Sequence, residues 1–223
     1  MFQTQFGMDL NNEDRSEDCL FMNMWLPSSI KEKKSKEEKP VLLFVHGGSF
    51  IGGNASRTET DGAKLAEKHD IIVVSVQYRL GIYGFGYPGR IRSENIGHYE
   101  QGNFAMMDIR LALKTVHENI HRFGGDKNKI TLMGNSAGAL AVGTILSDEA
   151  PEYSRSNGWP FYRSAILQCP PVNLKMRSPE DLKDYNEKII TASGCNSLKC
   201  FQELSTDQVK IIPFSHLLRP IIR

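Results

Sequence analysis

The chain has 223 residues, 40% of them apolar, and 27 basic against 26 acidic side chains leave a net charge of +1. That length suits one large α/β domain, and the near-neutral balance excludes a surface built for nucleic acid or an anionic membrane. No stretch approaches the ~18 uninterrupted apolar residues of a transmembrane helix.

Chain order gives an alternation of apolar runs and helical patterns. The N-terminus "MFQTQFGMDLNNEDR" has neither a basic start nor an apolar core and does not read as a signal peptide. Strands are expected at "CLFMNMWL" (19–26), "VLLFV" (41–45), "IIVVSVQY" (71–78), "ITLM" (130–133) and "SAILQC" (164–169). The middle runs are continuously apolar, as in strands buried on both faces of a mostly parallel sheet. Between the first two, "KEKKSKEEK" (31–39) reads as a solvated loop.

A helix is expected over "TETDGAKLAEKH". A longer one is expected over "QGNFAMMDIRLALKTVHENIHRF", with Phe104, Met107, Leu111, Thr115, Val116 and Ile120 near one face and a glycine stop at "FGGD". The tail, "SPEDLKDYNEKIITASG" and "TDQVKIIPF", reads as short helices beyond the sheet. The layout is α/β, with a mostly parallel central sheet flanked by helices.

Two motifs carry chemistry. "GNSAGA" (134–139) places Ser136 at GxSxG spacing between the strand "ITLM" and a helix opening near Ala137. Small residues at 134 and 138 let strand and helix approach while the serine is held up, the context of a nucleophile elbow; a plain helix-capping serine fits the same letters. "VHGGSF" (45–50) follows the strand "VLLFV", and consecutive glycines there can present backbone N–H groups to a developing oxyanion.

These two motifs, with "SEDCLFMNMWLP" (16–27), "VLLFVHGGSFIGGN" (41–54), "VVSVQYRLGIYGF" (73–85), "QGNFAMMDIRLAL" (101–113), "FGGDKNKITLMGNSAGA" (123–139) and "FYRSAILQC" (161–169), resemble the successive signatures of the type-B carboxylesterase and cholinesterase family. The resemblance runs in order from about residue 16 to about residue 205. It implies an α/β-hydrolase fold, with residues 1–223 as the N-terminal portion of a single carboxylesterase type-B domain. It also implies a serine nucleophile at Ser136, oxyanion amides at Gly48, Ser49 and Ala137, a small-molecule ester as substrate, and extracellular or secretory-pathway placement. No metal or organic cofactor is implied, and oligomeric state is not legible.

The chain departs from the family at several points. Asn135 stands where the family usually has glutamate, Ser49 replaces the third glycine of the oxyanion loop, and "CPP" (169–171) replaces a serine and glycine. A triad in the order serine, acid, histidine needs a histidine after Ser136, and only His216 follows, in a setting unlike the family's histidine motif. It reads as a structural or surface residue. His46 belongs to the oxyanion loop, and His69, His98, His117 and His121 lie in helical or loop segments before the elbow. Without a base the serine is a poor nucleophile, so residues 1–223 alone are expected to be nearly inactive. The alternatives to a carboxylic ester hydrolase are a cholinesterase-like adhesion protein that binds partners without catalysis, and a degenerate paralogue.

The spacing of Cys195 and Cys200 allows either a short disulfide loop or two thiols. The family resemblance implies the disulfide; it also implies an upstream partner for the cysteine at Cys19, and residues 1–18 contain none. "NAS" (54–56) is a glycosylation sequon if the chain enters the secretory pathway.

Overall fold

The structure, a computed structural model, describes residues 16–32, 37–86, 102–147, 161–171, 183–195 and 197–210. Its strands are β1 (Met22–Trp25), β2 (Lys39–Val45), β3 (Ile72–Val76), β4 (Gly125–Asn135) and β5 (Ser164–Gln168). The described helices, numbered in chain order, are α1 (Ser28–Lys31), α2 (Ala63–His69), α3 (Gly81–Phe85), α4 (Phe104–Asn119), α5 (Ala137–Ser147), α6 (Lys183–Ser193), α7 (Leu198–Glu203) and α8 (Thr206–Lys210).

The strands form one sheet in the order β1-β3-β2-β4-β5. Only β1 runs antiparallel, against β3, while β3, β2, β4 and β5 run parallel. The apolar runs explain this arrangement. All five residues of β3 are buried, as are Val41, Leu42, Leu43 and Val45 of β2, so both faces of the central strands are covered. The parallel register aligns Val45 with Val76 on one side and with Gly134 on the other. Successive strands therefore end together at one edge.

The crossover after β2 leads to β3 on one side, and that after β4 leads to β5 on the other. In an open α/β sheet such a reversal leaves a crevice outside the carboxyl ends of the two strands, the usual place for a ligand. The loops leaving β2 and β4 meet there.

The segment starting at Gly102 shows how the chain departs from the expected pattern. Helix α4 forms and ends through a 3-10 turn at Gly124, whose φ of 81° is the left-handed stop. The buried face coincides with the expected one only at Val116 and Ile120. It consists of Ala105, Met106, Asp108, Ile109, Ala112, Leu113 and Val116, continuing to Ile120. Phe104, Met107 and Thr115 are only half-buried and Leu111 is exposed. The reason is a carboxylate: Asp108 turns inward because it accepts hydrogen bonds from Arg79 N (3.0 Å), Nε (2.8 Å) and Nη2 (2.7 Å). Arg79 also lies over the Phe104 ring, 5.4 Å from its centroid.

Removing one member of a buried pair strands the other. With Arg79 partly in solvent, Asp108→Ala is expected to cost about 3 kcal/mol by urea unfolding. A loss below about 1 kcal/mol, the level of an exposed pair, would refute that weight.

The expectation for 31–39 is also corrected at its end. Lys39 opens β2, buried, with Nζ 2.6 Å from Asp70 Oδ2, because the apolar stem lies along the sheet while the ammonium meets a carboxylate. Residues 33–36 lie outside the described residues, as do 178–182 and 211–214 of the expected tail helices. Cys195 and Cys200 form a disulfide, and Cys19 is a buried free thiol whose pKa burial pushes up. Asn54 of the sequon is half-buried, its Oδ1 accepting the Ser56 N–H at 2.7 Å. Among the described residues no helix is long and apolar enough to cross a membrane.

Candidate active site

Ser136 sits between the last residue of β4 and the first of α5, with φ 52°. A non-glycine residue in the left-handed region is strained and persists only where its surroundings fix it. Here the Ser136 N–H donates to Gln168 O at 2.8 Å, and its carbonyl accepts from Leu140 N at 3.0 Å. The sharp bend is thus held from β5 and from the first turn of α5. The serine is partly exposed and Ala137 is buried.

The bend is possible because the flanking positions lack side chains. A Cβ at Gly138 would lie 2.2 Å from Val45 O and 2.6 Å from His46 O, so α5 starts directly against the end of β2. A Cβ at Gly47 would lie 3.1 Å from Ser136 Cβ and 2.7 Å from Asn135 O. The loop after β2 and the turn after β4 are therefore in van der Waals contact. Asn135 borders this contact, its Oδ1 3.1 Å from that same Gly47 position.

The loop itself is unusual: Gly48, Ser49 and Phe50 take φ values of 123°, 55° and 61° in succession. Phe50 anchors it, buried against Phe85 at 4.8 Å between ring centroids, and its carbonyl accepts from Gly81 N at 2.7 Å. Gly48 O accepts from Ile51 N and Gly52 N at 3.0 and 2.9 Å. The N–H groups of Gly48, Ser49 and Ala137 make no hydrogen bond to another described residue. Ser49 is exposed.

His46 leaves β2 into this loop and is buried, with burial lowering its pKa to about 4. Its ring stacks on Tyr78 at 4.4 Å, and Nδ1 lies 2.9 Å from Gly47 O. The Tyr78 hydroxyl donates to His46 O at 2.7 Å, and burial raises its pKa. Sequence reasoning placed His46 in the loop but missed Tyr78, whose place beside it depends on the Val45–Val76 register.

Of the other histidines, His69 and His121 are exposed on the surface, and His117 packs on Phe161 at 4.9 Å. His98 and His216 lie outside the described residues. After β5, Cys169 turns with φ 48° and carries an exposed free thiol. Among the described residues no cluster of His, Cys, Asp or Glu could hold a metal ion.

A sequence profile described as "Carboxylesterase family" matches residues 2–212. The chain belongs to the carboxylesterase family. Among its relatives, the acetylcholinesterase of Bungarus fasciatus is 41% identical over 96% of this chain and 35% of its own length. Carboxylesterase 3B of Mus musculus is 40% identical over 90% and 31%. The "Crystal protein" of Dictyostelium discoideum is 34% identical over 88% and 32%.

A solved carboxylesterase of Geobacillus stearothermophilus superposes with a TM-score of 0.80 and 31% identity, covering 98% of this chain and 44% of that one. The fold is thus that of an α/β hydrolase. The chain spans about a third of the length of the curated relatives it matches.

Proposed function

We propose that this chain carries the nucleophile and oxyanion hole of a carboxylic ester hydrolase. Ser136 Oγ attacks the ester carbonyl, the carbonyl π bond opens onto oxygen, and the N–H groups of Gly48, Ser49 and Ala137 stabilise the resulting oxyanion. The base takes the Oγ proton and passes it to the leaving oxygen as collapse expels the alcohol and leaves an acyl-serine; water, deprotonated by the same base, then releases the carboxylic acid and restores the Ser136 hydroxyl. The general base and its acid partner come, in this reading, from polypeptide outside residues 1–223, which form the N-terminal portion of a single domain.

The observation that carries the reading is the close approach of the two motif-bearing turns: a Cβ added at Gly47 would lie only 3.1 Å from Ser136 Cβ. The names of the carboxylesterase and cholinesterase relatives favour a small ester as substrate. The Cys195–Cys200 disulfide favours the secretory pathway, since such bridges persist in oxidising compartments.

A fluorophosphonate probe tests the nucleophile. The full-length folded protein is expected to form a stoichiometric adduct on Ser136, and Ser136→Ala none. Residues 1–223 alone are expected to hydrolyse p-nitrophenyl acetate no faster than their own Ser136→Ala variant. Absence of an adduct on the folded full-length protein would overturn the catalytic reading in favour of a non-catalytic, cholinesterase-like binding protein. Asn135, which withholds the negative charge the family usually keeps beside the serine, is the residue that favours that second reading.

A further inference from the structure

We propose that His46, held in place by Tyr78, is the positioning residue that aims the Gly48 N–H into the oxyanion hole; this rests on the reading of Ser136 and its loop given above. In a planar trans peptide the carbonyl of one residue and the N–H of the next point in opposite directions. Whatever fixes the carbonyl of residue 47 therefore fixes the N–H of residue 48.

Each of the three N–H groups has its opposite carbonyl anchored. The carbonyl opposite the Ala137 N–H is that of Ser136, which accepts from Leu140 N at 3.0 Å. The one opposite the Ser49 N–H is that of Gly48, which accepts from Ile51 N and Gly52 N. The one opposite the Gly48 N–H is that of Gly47, and the group on it is the His46 ring, with Nδ1 at 2.9 Å. Two anchors are backbone; the third is a side chain.

The tautomer follows from chemistry. A carbonyl only accepts, so His46 Nδ1 carries the proton and Nε2 carries the lone pair. Nε2 is buried without a hydrogen-bond partner, so the ring does no second polar task among the described residues. Its orientation comes from the near-parallel stack on Tyr78, whose planes differ by 19°. The Tyr78 hydroxyl holds the preceding carbonyl, that of His46, at 2.7 Å. Two successive peptide planes at the mouth of β2 are thus set by two side chains. The space is tight as well: a Cβ at Gly53 would lie 2.5 Å from His46 Nδ1 and 2.3 Å from Gly47 O. The strained run at 48–50 begins one residue later.

The test measures fluorophosphonate labelling on the full-length protein, separating the maximal labelling rate from the half-saturating concentration, alongside amide hydrogen exchange of the 46–50 segment. His46→Phe keeps an aromatic stack and removes the donor; His46→Asn returns an N–H near the Nδ1 position; Tyr78→Phe removes the hydroxyl alone.

For folded His46→Phe the maximal rate is expected to fall roughly tenfold or more, somewhat less than for outright loss of an oxyanion donor, with half-saturation unchanged within about twofold. His46→Asn is expected to recover part of the rate. Exchange in the segment is expected to rise in His46→Phe and Tyr78→Phe. A folded His46→Phe that keeps both the rate and the exchange of the parent overturns the proposal, as does a loss expressed only in half-saturation. If the parent protein takes no label but exchange still rises in His46→Phe, the serine reading fails while the hold of His46 on the loop stands.

Discussion

Replacing Gly138 with alanine is expected to be among the most damaging single changes in the chain. The new methyl group would sit 2.2 Å from Val45 O and 2.6 Å from His46 O, and both atoms are backbone at the end of a central strand. Neither can swing aside as a side-chain tip would. Relief requires α5 to lift from β2, which moves Ser136 away from Gly47. Overpacking of this kind is expected to cost about 3 kcal/mol, a fall in melting temperature of roughly 10 °C for a chain of this size.

The contrast lies five residues later. Gly143 faces only Leu167 Cδ2, at 3.3 Å from its Cβ position, and Leu167 is partly exposed and can give way. Gly143→Ala is therefore expected to stabilise by up to about 0.5–1 kcal/mol through helix propensity. Thermal unfolding of the two variants side by side decides the matter. Equal effects of the same sign would show that the approach of α5 to β2 is not what glycine secures at 138.

The same comparison marks what the sequence makes legible. The elbow and the glycine loop could be read because their chemistry is local: small residues, a serine, and a strand just before each. The sheet could be read because buried parallel strands are written as unbroken apolar runs, "VLLFV" and "IIVVSV" above all. Helix α4 lies where its pattern predicts, but its buried face departs from that pattern except at Val116 and Ile120, for the complementary reason. Its core face contains Ala105, Ala112 and a charged residue, and these give little hydrophobic signal, whereas Met107 and Leu111 give much, yet Met107 is only half-buried and Leu111 is exposed.

What puts Asp108 inside is Arg79, 29 positions away, and no local pattern contains that partnership. His46 and Tyr78, likewise, stack across two strands whose register only the assembled sheet defines. Lys39 looked like the end of a charged loop because one-dimensional charge counting cannot see Asp70 waiting 31 residues on.

Acid is expected to weaken this protein well above the range where its carboxylates titrate, and His46 is the main reason. Burial is the largest cause of its low pKa of about 4, opposed by the hydrogen bond to Gly47 O and assisted by the Arg57 charge. An unfolded histidine titrates near 6.5. The folded value is the lower one, so the unfolded state binds more protons between these limits, and stability must fall as pH falls. The contribution is whole above about pH 6.5 and is lost progressively down to about pH 4, amounting in full to about 3 kcal/mol.

His117, lowered first by burial and then by Lys127, acts in the same direction. Glu67, Asp70 and Asp126 are also lowered, but their stabilisation is lost only below the ordinary carboxylate range, so the two windows separate. Urea unfolding at pH 7, 6 and 5 is expected to show a loss of about 2 kcal/mol across that interval. His46→Phe, though less stable at pH 7, is expected to show a much flatter dependence. Parallel pH curves for the two proteins would mean that the imidazole finds a way to hold its proton in the folded state, and the dry, neutral ring on which the aiming of Gly48 depends would have to be abandoned.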